Sequence, residues 1–550
     1  MYLLLPDLYL FFYHQNLNLI LMSFWVLVYL FAVLKTTKYS FLLFPFLALV
    51  PSYLYYISIY HVGINEQILS IVLETNFQEA IQFLGANIYI YLFAYFLWLI
   101  FCIYICYKNY YHPKVWCHWS RYLLLALGTL YFLTGYSFNA TVVNEVNAAF
   151  GSSGNNFLVE EENSFLMDLK QTYPLGLVIS SYNLAKEQKK INQAFEKNKN
   201  FKFYAQQQKK IEDKEVYVLV IGETSRRENW QLNGYKRKTN PSLSQQKNLV
   251  NFEDMLSISS ETRSSLPMIL TRKLEKNIYR YDFPEKSMIS AFKEAGFKTY
   301  WLSTQQKIGA FDTSTSVYAK EADKIIFLNR TSYKDAGVVD DVLIPEFKKI
   351  ITSDEKKQFI VIHTLGSHYN YVHRYPQSFD HFKPSLMELK NYSLQDQVFQ
   401  KQLLNSYDNS ILYTDYVLNQ FINLLDKQIN TASFLLYSSD HGEDLFDQGC
   451  SKSGHGLETV RNFEIASFAW YSNDYQDLFF DKIEKIKLNR ERKVNQTAIF
   501  PTLLDAANIS IKDDLLQRSL LKKFNDYPRF VLGGINYDNA KIDGLCREIK

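Results

Sequence analysis

SFLLYSSDHG, residues 433–442, decides the fold. An uncharged run, 433–439, ends on an adjacent acid and imidazole, Asp440 and His441, followed by Gly442. The run is too short for a typical helix and reads as a strand buried on both faces. Three other runs have the same form: VYVLVIGE at 216–223, FKTYWLST at 297–304 and FIVIHTLG at 359–366. Amphipathic stretches such as 285–295 and 407–425 separate them, so strand and helix alternate as in an α/β sheet covered on both faces. Sites in such sheets form beyond the carboxyl ends of the strands. Polar clusters follow three of the four runs there, whereas 297–304 offers only Ser303 and Thr304.

Working outward, the chain is 550 residues long, 48% hydrophobic and only 21% charged, which excludes disorder and implies more than one folding unit. A net charge of +3 is too small for the dense basic footprint of a nucleic-acid binder, and five cysteines are too few for a disulfide scaffold. Four uncharged runs, at 17–34, 41–60, 88–107 and 122–138, are each about as long as a helix needs to cross a bilayer at roughly 1.5 Å per residue. Lys35 and Lys38 follow the first; Lys108, Lys114 and Arg121 follow the third. The positive-inside rule puts both connections in the cytoplasm and everything after residue 138 outside. The apolar run at 1–13, broken by Pro6 and Asp7, is a partial helix or the remnant of a fifth span. The stretch 61–87 has helical periodicity and is predicted to form external helices near the membrane plane. Hydrophobicity then collapses, and GSSGNN at 151–156 is a turn signal. The predicted organisation is a transmembrane domain at 1–138, a linker and bridging helix at 139–210, and an external α/β domain at 211–550.

Glu223, leaving the run at 216–223, says little alone. With Asp440 and His441 it makes a mixed oxygen and nitrogen set that suits zinc or manganese better than calcium; unassisted by a metal it would be a structural ion-pair network. The stretch SISSETRSSLPMILTR at 257–272 is rich in hydroxyls, which are poor nucleophiles until a base or metal lowers their pKa. On its own it reads as a polar loop capping a helix. His368 in GSH and His455 in GHG sit on glycine-flanked loops after strands, where either can serve a phosphate oxygen. His363 lies inside a strand run and reads as a satisfied core residue.

The order of these pieces, IGETSRRENWQLNGYKRKTNP, the hydroxyl stretch, HTLGSH, YDNSILYTDYVL, SSDHGED and GHG, resembles the membrane-bound phosphoethanolamine transferases of the alkaline-phosphatase and sulfatase superfamily. The resemblance covers nearly the whole chain. It implies a helical transmembrane bundle followed by an α/β domain of alkaline-phosphatase/sulfatase-like fold, in a bacterial inner membrane with the catalytic domain in the periplasm. It also implies the chemistry: a threonine attacks phosphatidylethanolamine, releases diacylglycerol and holds phosphoethanolamine until a lipopolysaccharide acceptor takes it. The family's metal ligands fall on Glu223, Asp440 and His441, and its substrate-phosphate histidines on His368 and His455. Its nucleophile, a further metal ligand, falls on Thr262 when ETRSSLP is matched to the branch that modifies the lipopolysaccharide core. An ungapped match to the lipid A branch, counted back from Pro267, puts it at Ser260. We take Thr262 as nucleophile with Ser260 as runner-up, zinc as metal with manganese second, and the chain as a monomer.

The chain departs from the lipid A branch where that branch has cysteines around the nucleophile, since Ile258 and Met268 stand there. Outside the membrane region, Cys450 and Cys546 either bridge in an oxidising compartment or stay as two thiols. Ala336 stands where the family has a substrate-contacting lysine before GVVD at 337–340. A sulfatase is disfavoured because no C/S-x-P-x-R sequence lies near the nucleophile stretch. A phosphoglycerol transferase would use a similar residue set and differ in donor head group. A non-catalytic membrane sensor would keep its phenotype on metal removal.

Overall fold

The computed structural model describes residues 2–14, 17–60, 69, 88–134, 169, 172–209, 211–275, 285–305, 314–329, 338–389, 392–512 and 516–550. The predicted external helices at 61–87, apart from Leu69, the turn at 151–156 and Ala336 lie outside them. The chain divides into two compact units, the second containing Lys190–Lys550.

The first unit is helical: Leu5–His14, Leu17–Leu34, Phe44–Tyr60, Ile88–Tyr111 and a helix over 120–134. Two stretches among the described residues, Thr37–Ser58 and Tyr89–Tyr111, are long and apolar enough to cross a membrane, and Leu19–Leu34 is a shorter apolar helix. The expected four spans thus meet two that pass on length and composition, and the helix over 120–134 runs to the last described residue of its stretch. Ile88–Tyr111 leaves Tyr89, Ile90, Phe93 and Tyr104 exposed, the reverse of a helix whose apolar stripe faces a core. The first apolar run forms Leu5–His14, where buried Asp7 accepts the Tyr173 backbone N–H at 3.0 Å.

The second unit is built on a seven-stranded sheet. Its strands in chain order are β1 (Lys214–Gly222), β2 (Leu249–Asn251), β3 (Lys298–Ser303), β4 (Lys324–Phe327), β5 (Lys357–His363), β6 (Thr431–Ser439) and β7 (Ser467–Tyr471). The spatial order is β2-β7-β6-β1-β5-β3-β4, parallel from β6 through β4, with β7 antiparallel to both β6 and β2. Successive side chains of a strand point to opposite faces, and β1 feeds both. Tyr217, Leu219 and Ile221 join one core with Phe292, Phe500 and Leu503; Val216, Val218 and Val220 join another with Phe347, Ile411 and Phe421. Burial on both faces is why β1 from Val216 onward and β6 carry no charge, while buried Glu215 at the start of β1 takes the Gln207 side-chain amide at 2.9 Å.

Register positions the site. Gly222 pairs with Ser439, and Ile221 and Ser303 both pair with His363, so residues 223, 304, 364 and 440 leave the sheet along one edge.

Within the stretch expected as linker and bridging helix, Leu175–Lys197 is helical. Phe203 and Ala205 are buried in the second unit's core, and Gln206–Gln207 pairs antiparallel with Ile509–Ser510. Alternating burial at 203 and 205 is hard to see in sequence because Lys and Gln surround it. Cys450 and Cys546 form a disulfide across a separation of 96 residues, which resolves the alternative left open above.

Candidate metal and nucleophile site

Glu223 leaves β1, and Asp440 and His441 leave β6, its neighbour in the sheet. One donor atom from each lies within 4.8 Å of the others, and all three side chains are buried. His441 Nε2 is 3.3 Å from Glu223 Oε1 and 3.5 Å from Asp440 Oδ2. The other imidazole nitrogen, Nδ1, is 2.9 Å from the Gly442 carbonyl, which can only accept; Nδ1 therefore carries a proton, and Nε2 faces the carboxylates. Gly442 is needed because a Cβ there would come within 2.0 Å of the Arg461 carbonyl oxygen.

Thr262 is the first residue of the helix Thr262–Leu270, preceded by Glu261 in extended conformation. The hydroxyl reaches the cluster, donating to Asp440 Oδ2 at 2.6 Å. It lies 3.2 Å from Glu223 Oε2 and 3.4 Å from His441 Nε2. The amino end of the helix sets the positive end of its dipole where an anion would bind. Ser260 is fully buried two residues earlier, and its carbonyl accepts the Gly456 N–H at 2.9 Å.

Electrostatics follow from packing two acids and an imidazole together out of water. Burial and the neighbouring Glu223 push the Asp440 carboxyl up to about 7. Burial would raise Glu223 as well, but the hydrogen bond and charge of His441, with the charge of His368, outweigh it and hold Glu223 well below the usual carboxylate range. Burial lowers His441, yet Asp440 and Glu223 together drive it up to about 10. Two buried carboxylates this close need positive charge between them. The set of two carboxylates, an imidazole with its Nδ1 proton fixed on a carbonyl, and a hydroxyl fits zinc or manganese.

His368 and His455 come together beside this cluster. Their ring centroids are 5.7 Å apart, and His455 is 4.8 Å from His441. His368 is carried by the loop after β5, whose Gly366 has φ of 49° and lies so close to β1 that a Cβ would meet the Glu223 carbonyl oxygen at 2.8 Å. The Ser367 N–H ties this loop to the same carbonyl at 3.0 Å. Glu443 Oε1 stands 3.5 Å from His455 Nδ1.

His363 departs from the expectation of a satisfied core residue. It is buried, edge-on to Trp301, but neither ring nitrogen has a hydrogen-bond partner, and burial holds it neutral with a pKa pushed down to about 4. Sequence reasoning missed Gln305, whose Nε2 donates to Glu223 Oε2 at 3.1 Å. It also missed Asp340, whose carboxylate gathers the Thr304 hydroxyl at 2.5 Å, the Leu365 N–H at 2.9 Å and the Gly366 N–H at 2.8 Å. The one available signal was position, since Gln305 follows a strand end on the site edge.

Residues 215–509 match the Sulfatase family, and the chain belongs to it. Among characterised relatives it is 30% identical over 343 residues to phosphoethanolamine transferase EptC of Escherichia coli K12; the match covers 59% of this chain and 56% of that one. The chain therefore matches little more than half that relative's length. The periplasmic domain of Escherichia coli EptC, solved in complex with Zn, is 26% identical with a TM-score of 0.54, covering 63% of this chain and 94% of that one. The lipooligosaccharide phosphoethanolamine transferase A of Neisseria meningitidis, an integral membrane protein, has a TM-score of 0.69 over 93% of this chain and 91% of that one. At 19% identity this last likeness speaks for the fold alone: a helical amino-terminal part followed by a sulfatase-like α/β domain.

Proposed function

We propose that the chain transfers phosphoethanolamine from phosphatidylethanolamine to lipopolysaccharide through a covalent phospho-threonine on Thr262. The observation that carries this reading is the Thr262 hydroxyl 2.6 Å from Asp440 within the cluster of Glu223, Asp440 and His441. Glu223, Asp440, His441 and Thr262 would hold a divalent cation, zinc before manganese, which lowers the pKa of a hydroxyl and neutralises charge on a phosphodiester.

In the first half-reaction Thr262 Oγ1 attacks phosphorus as its proton passes to Asp440 Oδ2, and the bond from phosphorus to the diacylglycerol oxygen breaks. His455 or His368, on the other side of the phosphorus, protonates that oxygen. In the second half-reaction the same imidazole takes the proton of the acceptor hydroxyl, the new phosphorus–oxygen bond forms, and Thr262 leaves with its proton restored. Carrying the site on a membrane-anchored chain raises its effective concentration toward a lipid donor. The inner membrane, with the catalytic unit in the periplasm and the protein acting as a monomer, completes the reading.

Likeness to EptC and the absence of cysteines around Thr262 favour a core sugar over lipid A as acceptor. Mass spectrometry of lipopolysaccharide from cells with the intact gene, with Thr262→Ala and without the gene tests this. A phosphoethanolamine increment on the core that only the intact gene produces is expected; no increment on core or lipid A refutes the reaction. The phosphoglycerol alternative rests on a shared residue set, and feeding head-group-labelled lipids separates the two.

A further inference from the structure

Thr224, immediately after Glu223, is fully buried and has φ of 55°. A β-branched side chain in left-handed backbone is an outlier, because its Cβ branches crowd the adjoining peptide units. Such conformations persist only where surrounding contacts over-determine them. Three contacts do so here. The Thr224 hydroxyl donates to Glu223 Oε1 at 2.8 Å, its N–H donates to Asp440 Oδ1 at 3.0 Å, and its carbonyl accepts the Tyr407 hydroxyl at 2.7 Å.

We infer that Thr224 is a positioning residue that fixes the two acidic ligands together, using left-handed backbone to aim its N–H at one carboxylate and its hydroxyl at the other. The inference rests on reading Glu223, Asp440 and His441 as metal ligands. Asp440 shows what the arrangement achieves. Its Oδ1 takes the N–H groups of Thr224 and His441, the latter at 2.7 Å, which leaves Oδ2 turned toward Thr262. Glu223 is likewise braced on both oxygens, by Thr224 on Oε1 and Gln305 on Oε2. Partners of this kind orient ligands and raise metal affinity by about 10- to 100-fold. Valine at 224 would keep the shape and the N–H but remove the shortest hydrogen bond to Glu223 Oε1, leaving His441 Nε2 at 3.3 Å and the Thr262 hydroxyl at 3.4 Å. Serine would keep the donor. Glycine would remove both the donor and the steric penalty of the backbone.

The test uses the full chain in detergent micelles, with zinc as the probe. Zinc affinity is measured by competition against a chromophoric chelator, and the thermal midpoint is measured on metal-stripped protein. Thr224→Val is expected to weaken zinc binding about tenfold and Thr224→Ser less than threefold. Thr224→Gly is expected to weaken it as Val does while leaving the metal-stripped midpoint unchanged or higher. The inference is overturned if Val and Gly bind zinc as the wild type does, or if Ser loses as much as Val. Should Val fail to fold, the Ser and Gly pair decides alone. A wild-type chain that takes up no zinc overturns the metal reading itself, a result distinct from variants that match a zinc-binding wild type.

Discussion

Arg226 and Asp447 form a partly buried bidentate pair behind the loop that carries Asp440 and His441, with Nη1 to Oδ2 at 2.6 Å and Nη2 to Oδ1 at 3.0 Å. Arg226 is 2% exposed and its Nη1 also donates to the Glu443 carbonyl, so the pair clamps this loop. Burial would raise the Asp447 carboxyl, but the charge and hydrogen bonds of Arg226, with Arg461, outweigh it and hold the pKa at about 2 against an ordinary 3.8. At about 1.4 kcal/mol per pKa unit this is worth about 2 kcal/mol of folding stability. Because the folded pKa lies below the unfolded one, the contribution is complete above about pH 4 and is lost as pH falls toward 2. Asp447→Asn leaves Arg226 with Glu228, 3.4 Å from Nη1 and itself partly exposed, as its remaining counter-charge and should cost about 2 kcal/mol at pH 7. The gap to wild type should narrow steadily between pH 4 and pH 2, where the wild type also loses the charge. Urea unfolding followed by tryptophan fluorescence reads this directly, since Trp230, Trp301 and Trp470 are all buried in the second unit. A difference below about 0.5 kcal/mol at pH 7, or a gap that stays constant down to pH 2, refutes the account.

Thr262→Ala should abolish formation of a covalent phosphoethanolamine adduct, whereas Ser260→Ala should retain it; intact-protein mass spectrometry after incubation with phosphatidylethanolamine separates the two, and an adduct on the Thr262→Ala protein moves the nucleophile elsewhere. Chelation should lower the thermal midpoint and zinc restore it, since a ligand at 100 times its Kd stabilises by about 2.7 kcal/mol, and Glu223→Gln should flatten this response. Replacing Cys450 and Cys546 by serine opens a 96-residue separation and should cost about 4.7 kcal/mol in a chain-entropy account. Reductant should lower the wild-type midpoint in the same way and leave the double variant unmoved.

What could be read from the sequence follows from which features are local. β1 and β6 show plainly because burial on both faces removes charge from their interiors, and both end within about two residues of the predicted limits. Glu223, Asp440 and His441 could be grouped because strand ends on one edge of a parallel sheet are neighbours whenever the strands are. Thr262 and Ser260 could not be separated, since extended Glu261 lies between them and the start of a helix is set by packing that sequence does not display. Gln305 and Asp340 were missed for a different reason: Gln305, after β3, reaches Glu223, after β1, and Asp340 ties the segments after β3 and β5, so their roles depend on strand order rather than on any motif. The missing partners of His363 likewise depend on what surrounds β5, while periodicity reports only that the side chain faces inward.

The division of labour between elements bears on the chemistry. The two acids and the imidazole that would hold a cation sit one or two residues past strands paired over their full length, β1 with β6 at nine positions, and are braced by Thr224 and Gln305. The histidines that would serve the departing and arriving oxygens instead sit on loops containing Gly366, Gly454 and Gly456, all at positive φ. A transfer reaction needs one phosphorus held in fixed relation to one nucleophile, but it must admit two different alcohols in turn, a lipid on the way out and a sugar on the way in. Fixing Glu223, Asp440 and His441 at the ends of paired strands while carrying His368 and His455 on loops would satisfy both demands in the proposed reaction. On this account the loop glycines matter to acceptor choice, and the strand ends to the chemical step that both half-reactions share.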